Sequence, residues 1–250
     1  MLKKCASMIF VLVLTISSIA FADGTNVSAA VSNDSEISAV RAKVNQSFPR
    51  IIVTDIRRTD VKGLYELESG DGILYYYPEK ELIFAGELYN KDGKSLTAGR
   101  MDAIVERKLK ELPLDKAIKT GSGPNTVIEF IDPDCPYCRK AYEWFKTKTG
   151  ITRYTFLTPI PQLHPKATEK SEYILSQKTP ESRVAALHDV LEGKLDNKTL
   201  EGINEDGKKG VELHKSLGRK VGLNGTPLFF VNGRMISGAD YPGIEQNLQK

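Results

Sequence analysis

Apolar positions in this 250-residue chain follow one period and then another, and each change of period marks a new element. A first apolar run extends from Met8 to Val13 and on through Leu14 and Ile16. Asp23–Asn33 is then small and polar without periodicity, which predicts a mobile lead into the first element. From Asp34, Ile37, Val40, Val44 and Phe48 recur at helical spacing until Pro49 stops them, so a short amphipathic helix is expected. Ile51–Ile56, Leu64–Leu67, Ile73–Tyr77 and Leu82–Phe84 read as four strands, with Gly63, Gly70-Asp71-Gly72 and Pro78-Glu79-Lys80 supplying the turns. Such a meander gives the helix stripe a partner and leaves its outer strands with unpaired edges.

Met101, Ile104, Val105, Leu109 and Leu112 fall on one face of a second helix, which Pro113 interrupts. Rich in helix formers and standing between two modules, it is expected to be a semi-rigid linker rather than a core element. Residues 119–125 read as a loop. Thr126, Val127, Ile128, Phe130 and Ile131 then make the apolar, β-branched and aromatic run of a buried strand, and Asp132-Pro133-Asp134 breaks it before a helical run through Trp144 and Phe145. A second strand is expected at Thr152–Leu157, helices over 166–176, 181–191 and 200–217, a hairpin from Leu228–Val231 and Arg234–Ile236 around Asn232-Gly233, and a closing helix with Ile244 and Leu248. The resulting division is residues 1–22, an N-terminal dimerisation domain over 23–97, a linker helix over 98–119, and a chemistry-bearing domain over 120–250.

Composition changes this picture at the N-terminus. Lys3 and Lys4 precede the first apolar run and Ala20-Phe21-Ala22 offers small residues where a signal peptidase reads, so residues 1–22 read as a signal peptide. A transmembrane anchor is the alternative, but the run is short for a span and no stop-transfer flank follows. Cleavage removes two of 35 basic side chains and none of 32 acidic ones, leaving a mature charge of about +1, which argues against a nucleic-acid or membrane-surface role. With 40% hydrophobic residues the chain can bury the cores of two small domains. Cys5 leaves with the signal, so the mature chain holds only Cys135 and Cys138, and no structural disulfide is available even in an oxidising compartment.

Those two cysteines carry the chemistry. Cys135 stands at the expected helix N-terminus, where free N–H groups and the helix dipole favour a thiolate, and Cys138 is one turn further, within reach to close a disulfide. Strand, C-x-x-C and helix together make a thioredoxin-like redox signature, with Cys135 as nucleophile and Cys138 as resolving thiol. A zinc half-site is the alternative, but zinc needs two more ligands and the mature chain offers only His164, His188 and His214, scattered and expected to be solvated, so neither metal nor cofactor is expected. Glu129, six residues before Cys135, is a proton-shuttle candidate for Cys138 if buried, and otherwise a strand carboxylate facing water. Asp132 and Asp134 read as turn and capping residues; Tyr137, Tyr142 and Trp144 as packing or substrate-surface residues.

The assembled motifs resemble the periplasmic disulfide isomerases of the DsbC and DsbG family. They are G-I-L-Y-Y-Y and G-E-L-Y-N-K-D-G in the N-terminal sheet, F-I-D-P-D-C-P-Y-C at the redox turn, and G-T-P-L-F-F-V-N-G late in the chain. The resemblance implies an α+β chain: a small cystatin-like helix-plus-sheet dimerisation domain, a linker helix, and a thioredoxin-like catalytic domain with a helical insertion. It implies a cis-proline loop at Thr226-Pro227 against the C-x-x-C, with Thr226, Pro227, Pro136 and Tyr137 meeting substrate. A periplasmic homodimer acting on misfolded or misoxidised secreted proteins follows, recharged by a membrane thiol reductase of the DsbD type, with no nucleic acid and no membrane span in the mature chain. Two departures stand out. The family's second cysteine pair in the insertion is absent, with Ser176 near its place, and Asp132-Pro133 and Pro136-Tyr137 look more like DsbG while the N-terminal domain looks like DsbC. A DsbG-like reductase of sulfenylated cysteines, a monomeric oxidase and a non-enzymatic holdase are the rival readings.

Overall fold

The computed structural model describes residues 25–70 and 72–249; the expected signal peptide lies outside them. The first helix, α1 (Thr25–Ser47), starts earlier than periodicity implied, so residues 25–33 are helical rather than a mobile lead. No glycine or proline interrupts the run from Thr25 to Ser47, and extending an anchored helix adds one hydrogen bond per residue fixed. Four antiparallel strands follow in meander order, β1 (Asp55–Arg58), β2 (Tyr65–Ser69), β3 (Gly72–Tyr77) and β4 (Leu82–Ala85). The expected strand at Ile51–Ile56 is displaced: pairing is set by the turn into β2, Ile56 opposes Leu67, and Ile52 is left 79% exposed.

The ladder register sorts the two faces of this sheet. Tyr65, Tyr76, Ile56 and Leu67 turn toward α1, where they cluster with Val40, Val44 and the partly buried Ile37 and Phe48. Glu66, Glu68, Ile73 and Tyr75 occupy the other face, and it is covered by α2 (Leu96–Lys110). Ile104 is 2% exposed among Leu64, Ile73 and Tyr75, while Val105 and Leu112 are buried in the core of the C-terminal domain. Arg100 donates to Glu66 at 2.7 Å and Arg107 to the buried Glu68 at 2.7 Å. This helix is therefore a core element of both halves, contrary to the linker expectation. Its apolar positions serve two clusters from adjacent faces, and a single-stripe reading cannot separate them.

The second sheet has strand order β5-β7-β6-β8-β9. β6 (Asn125–Ile131) lies parallel to β7 (Ile151–Leu157), and β5 (Ile118–Gly121), β8 (Leu228–Val231) and β9 (Arg234–Ser237) join antiparallel. β5 takes in residues expected as loop, because Ile118 is its only buried residue and four residues are too few to show a strand's hydrophobic pattern. Along β6, Ile128 and Phe130 face α2 and α6 (Glu205–Val221), while Val127, Glu129 and Ile131 face α3 (Pro136–Lys146). The insertion comprises α4 (Ala167–Leu175), α5 (Pro180–Leu191) and α6, and α7 (Tyr241–Leu248) closes the chain. α6 starts where Asn204 accepts from the Gly207 N–H at 3.0 Å and ends at Gly222 in the left-handed conformation, later at both ends than expected. Ser176 ties α4 to α6 by accepting from the Asn204 N–H at 3.0 Å, and a Cβ at Gly207 would lie 2.1 Å from its hydroxyl oxygen. Hydrogen bonds and close approach thus join these helices without a disulfide.

The histidines are not solvated as a group. His214 on α6 is 1% exposed; its Nδ1 accepts from the Leu157 N–H at 3.0 Å and its Nε2–H donates to the Lys116 carbonyl at 3.0 Å. Burial pushes its pKa down from 6.5 to about 4. The unfolded chain therefore takes the proton first: His214 contributes fully above about pH 6.5, and that contribution, roughly 3 kcal/mol at most, is lost as pH falls toward 4. Urea unfolding from pH 7 to 4.5 should show a steeper loss for the native protein than for His214→Gln. Parallel pH profiles would refute the assignment.

Candidate active site

β6 runs out at Ile131, and Asp132, fully buried, folds the turn that follows. Its Oδ1 accepts from the Asp134 N–H at 2.8 Å and its Oδ2 from the Ile160 N–H at 2.7 Å, with His164 Nδ1 at 3.0 Å from the same oxygen. The Asp132 carbonyl accepts from the Cys135 N–H at 3.1 Å. Cys135 is thereby set as the N-cap residue of α3, in extended conformation, and Pro136 opens the helix where a missing N–H costs nothing. Asp134 does not cap the helix; its carboxylate is ion-paired with Arg139 and Lys170.

Both cysteines are free thiols, Cys135 5% and Cys138 1% exposed. The Thr226–Pro227 bond is cis, and the Thr226 carbonyl stands 3.5 Å from the Cys135 sulfur, as an acceptor for its S–H. The Cys135 pKa falls to about 5, chiefly because the Cys138 thiol donates to its sulfur. Burial opposes that shift, while the Cys138 N–H, the Thr226 side chain and the Tyr137 N–H assist it. Burial drives the Cys138 thiol the other way, well above its ordinary value, and the neighbouring Cys135 sulfur adds to the rise. One sulfur is thus prepared to attack at neutral pH and the other is held as a protonated donor.

The remaining residues read from the sequence divide by exposure. Pro136 and Tyr137 are exposed, Tyr137 at 62%, Thr226 is half-buried, and Pro227 is buried beneath its loop. Tyr142 is buried and Trp144 stacks on Tyr241. Glu129 is 1% exposed, which removes the water-facing alternative; its carboxylate accepts from Arg153 Nη2 at 2.7 and 3.0 Å and from the Thr155 hydroxyl. Arg153, Lys170 and Asp196 were missed, and His164 was expected to be solvated, since they lie well beyond Cys135 in the sequence and only the fold brings them in. Among the described residues no cluster of three His, Cys, Asp or Glu side chains is placed to hold a metal ion. No helix among them is long and apolar enough to cross a membrane.

The chain is similar to known proteins over most of its length. Residues 28–98 match the family model for the disulfide bond isomerase protein N-terminal domain, and residues 112–245 match that for a thioredoxin-like domain. The probable thiol:disulfide interchange protein DsbC of Bordetella parapertussis is 31% identical over 210 residues, covering 82% of this chain and 71% of the relative. The thiol:disulfide interchange protein DsbG of Pseudomonas aeruginosa is 28% identical over 186 residues, 68% of this chain and 70% of the relative. Among solved structures, a disulfide interchange protein from Neisseria gonorrhoeae is 34% identical, covering 55% of this chain and 96% of its own, with a TM-score of 0.47.

The asymmetry of the two sulfurs is directly measurable. Alkylation of the reduced protein should modify Cys135 with a midpoint near pH 5 and leave Cys138 untouched at neutral pH. Thr226→Val removes one donor and should raise the Cys135 midpoint, with the melting temperature held within about 2 °C. An unmoved midpoint with a large loss of stability would make Thr226 a core residue instead.

Proposed function

Because the chain belongs to the family of DsbC-type thiol:disulfide interchange proteins, we propose that it is a periplasmic disulfide isomerase and reductase of misoxidised secreted proteins, with Cys135 as nucleophile and Cys138 as resolving thiol. The Cys135 thiolate attacks one sulfur of a client disulfide; that S–S bond breaks, a mixed disulfide forms, and the second client sulfur leaves as a thiolate. A second client thiolate that then attacks the client sulfur of the mixed disulfide forms the new client S–S bond, expels Cys135 as a thiolate and completes isomerisation. If Cys138 loses its proton and attacks the Cys135 sulfur instead, the client leaves reduced and the protein oxidised by two electrons. A membrane thiol reductase of the DsbD type would return those electrons.

The observation that carries this reading is the unequal placement of the two sulfurs: Cys135 caps α3 against the cis Thr226–Pro227 loop, while Cys138, one turn on, is 1% exposed, and burial holds its proton. A resolving thiol held protonated attacks slowly, so the mixed disulfide lives long enough for a client thiol to act first. Glu129 is our candidate for receiving the Cys138 proton, since it lies on the face of β6 that α3 covers, between Val127 and Ile131. An extended client strand would meet the exposed Pro136 and Tyr137 and pair with the backbone at Thr226, while Pro227 shapes the loop from below.

For the N-terminal half, residues 23–97, we propose a homodimer interface at β4. The β1 edge, Asp55–Arg58, carries three charges, whereas β4 reads Leu-Ile-Phe-Ala and exposes Leu82 at 57% and Phe84 at 43% on a free edge. Two catalytic domains of residues 120–250, each set by an α2 packed into both cores, would hold a partly folded client between them.

Refolding of a scrambled multi-disulfide substrate tests the reading. Cys135→Ala should abolish both exchange and rescue, and Cys138→Ala should accumulate mixed disulfides while retaining part of the isomerisation. Faster labelling of Cys138 than Cys135 at neutral pH would reverse the roles. Sedimentation should give a dimer, and Leu82→Asp a monomer that still reduces small disulfides but loses most isomerisation. A native monomer, or a monomeric variant that isomerises fully, would leave a simple reductase.

A further inference from the structure

Asp134 poses a problem for its neighbour. A carboxylate one residue before the attacking cysteine would oppose the thiolate, because like charge disfavours the ionised form. The structure surrounds that carboxylate with charge drawn from three separate places. Asp134 Oδ1 accepts from Arg139 Nη2 at 2.8 Å and also from Lys170 Nζ. The same two cations are shared with Asp196: Arg139 Nη1 reaches Oδ2 at 2.8 Å, Nη2 reaches Oδ1 at 2.7 Å, and Lys170 Nζ reaches Oδ1 at 2.6 Å. Arg139 also donates from Nε to the Pro133 carbonyl at 2.9 Å. Lys170 is 4% exposed, so its ammonium has little water to fall back on and is committed to the two carboxylates.

Two of the four residues come from the redox motif and two from the insertion, Lys170 on α4 and Asp196 in the loop after α5. Their charges sum to zero. We propose that Lys170 and Asp196 are positioning residues of the redox centre: with Arg139 they close a neutral four-charge lock on Asp134, so that the attacking sulfur feels its hydrogen-bond donors rather than the adjacent carboxylate. The insertion thereby sets the acidity of Cys135 from outside the motif. This rests on Cys135 being the attacking thiol. The other charged groups near the turn are Asp132, bound by His164 and two backbone N–H groups, and Glu129, bound by Arg153; the Thr226–Pro227 loop brings no charge.

A lock that acts by charge has a signature that a merely structural tie lacks, because removing a cation and removing an anion must move the sulfur in opposite directions. The measurement is the pH dependence of iodoacetamide alkylation at Cys135, read by mass spectrometry on the full chain in a Cys138→Ser background. Lys170→Met leaves a net negative lock and should raise the midpoint by roughly half a pH unit or more. Asp196→Asn leaves a net positive lock and should lower it by a similar amount, and the double variant should return close to the starting value. Shifts in the same direction for both single variants, or midpoints that stay within about 0.2 unit of the parent in folded proteins, would overturn the proposal. If Lys170→Met fails to fold, Asp196→Asn decides alone, since Asp196 is 37% exposed: a lowered midpoint supports the lock and an unchanged or raised one refutes it. A parent Cys135 that is not ionised at neutral pH would instead refute the assignment of the attacking thiol.

Discussion

A sulfur that is almost completely buried is made to carry a negative charge, and the catalytic half of the chain is arranged around meeting that demand. Taking a thiolate out of water is unfavourable unless donors replace the water lost. Cys135 finds them in the first turn of α3, in the N–H groups of Tyr137 and Cys138, and in the side chains of Cys138 and Thr226. Each donor depends on a different element stopping in the right place. β6 must end at Ile131, Asp132 must fold the turn, Pro136 must begin the helix, and the loop at Thr226 must lie against it. Burial of Cys138 keeps its proton in place, and that proton is the leading donor to Cys135, so the two opposed acidities have one cause.

The N-terminal half is joined to this site through packing. α2 places Ile104 against the first sheet and Val105 in the core beneath β6, on neighbouring faces of one turn. The pairs from Arg100 to Glu66 and from Arg107 to Glu68 fix the helix on the sheet side. Glu68 is 3% exposed, so losing Arg107 or Lys108 would leave a carboxylate with few alternatives to water. The helix thus gives adjacent buried residues to each half along this turn, while Asp102, Ala103 and Glu106 remain exposed, and the orientation of each half is set by side chains buried in both.

Much of this was legible in the sequence where a pattern is local. The C-x-x-C turn, the strands β2, β3, β4, β6, β7, β8 and β9, and the stripe Ile37, Val40, Val44 and Phe48 all follow from periodicity and turn residues within one short window. What escaped depends on partners far along the chain. β5 exists because Ile118 opposes Thr155, and the start of β1 is set by register with β2 rather than by the apolar run at Ile51-Ile52-Val53. His214 looked like a surface histidine because its two hydrogen bonds go to backbone atoms on β7 and near Lys116, 57 and 98 residues away. Lys170 and Asp196 had no signal at all, since a lysine and an aspartate in helical surroundings read as solvated charges until the fold places them on Asp134.

Compensation extends to every carboxylate brought near the redox turn. Asp132 is met by two backbone N–H groups and His164, Glu129 by Arg153 and Thr155, and Asp134 and Asp196 by Arg139 and Lys170. Three of the four sit at residues 129, 132 and 134, just before Cys135, and uncompensated they would put like charge around a thiolate. With each one bound, the acidity of Cys135 is left to short-range, oriented donors. Such donors act at contact distance and are little screened by salt, unlike a free cation placed near a sulfur at the surface. A thiol governed this way keeps its ionisation as ionic strength changes, which gives a physical reason for building the site from hydrogen bonds and balanced pairs.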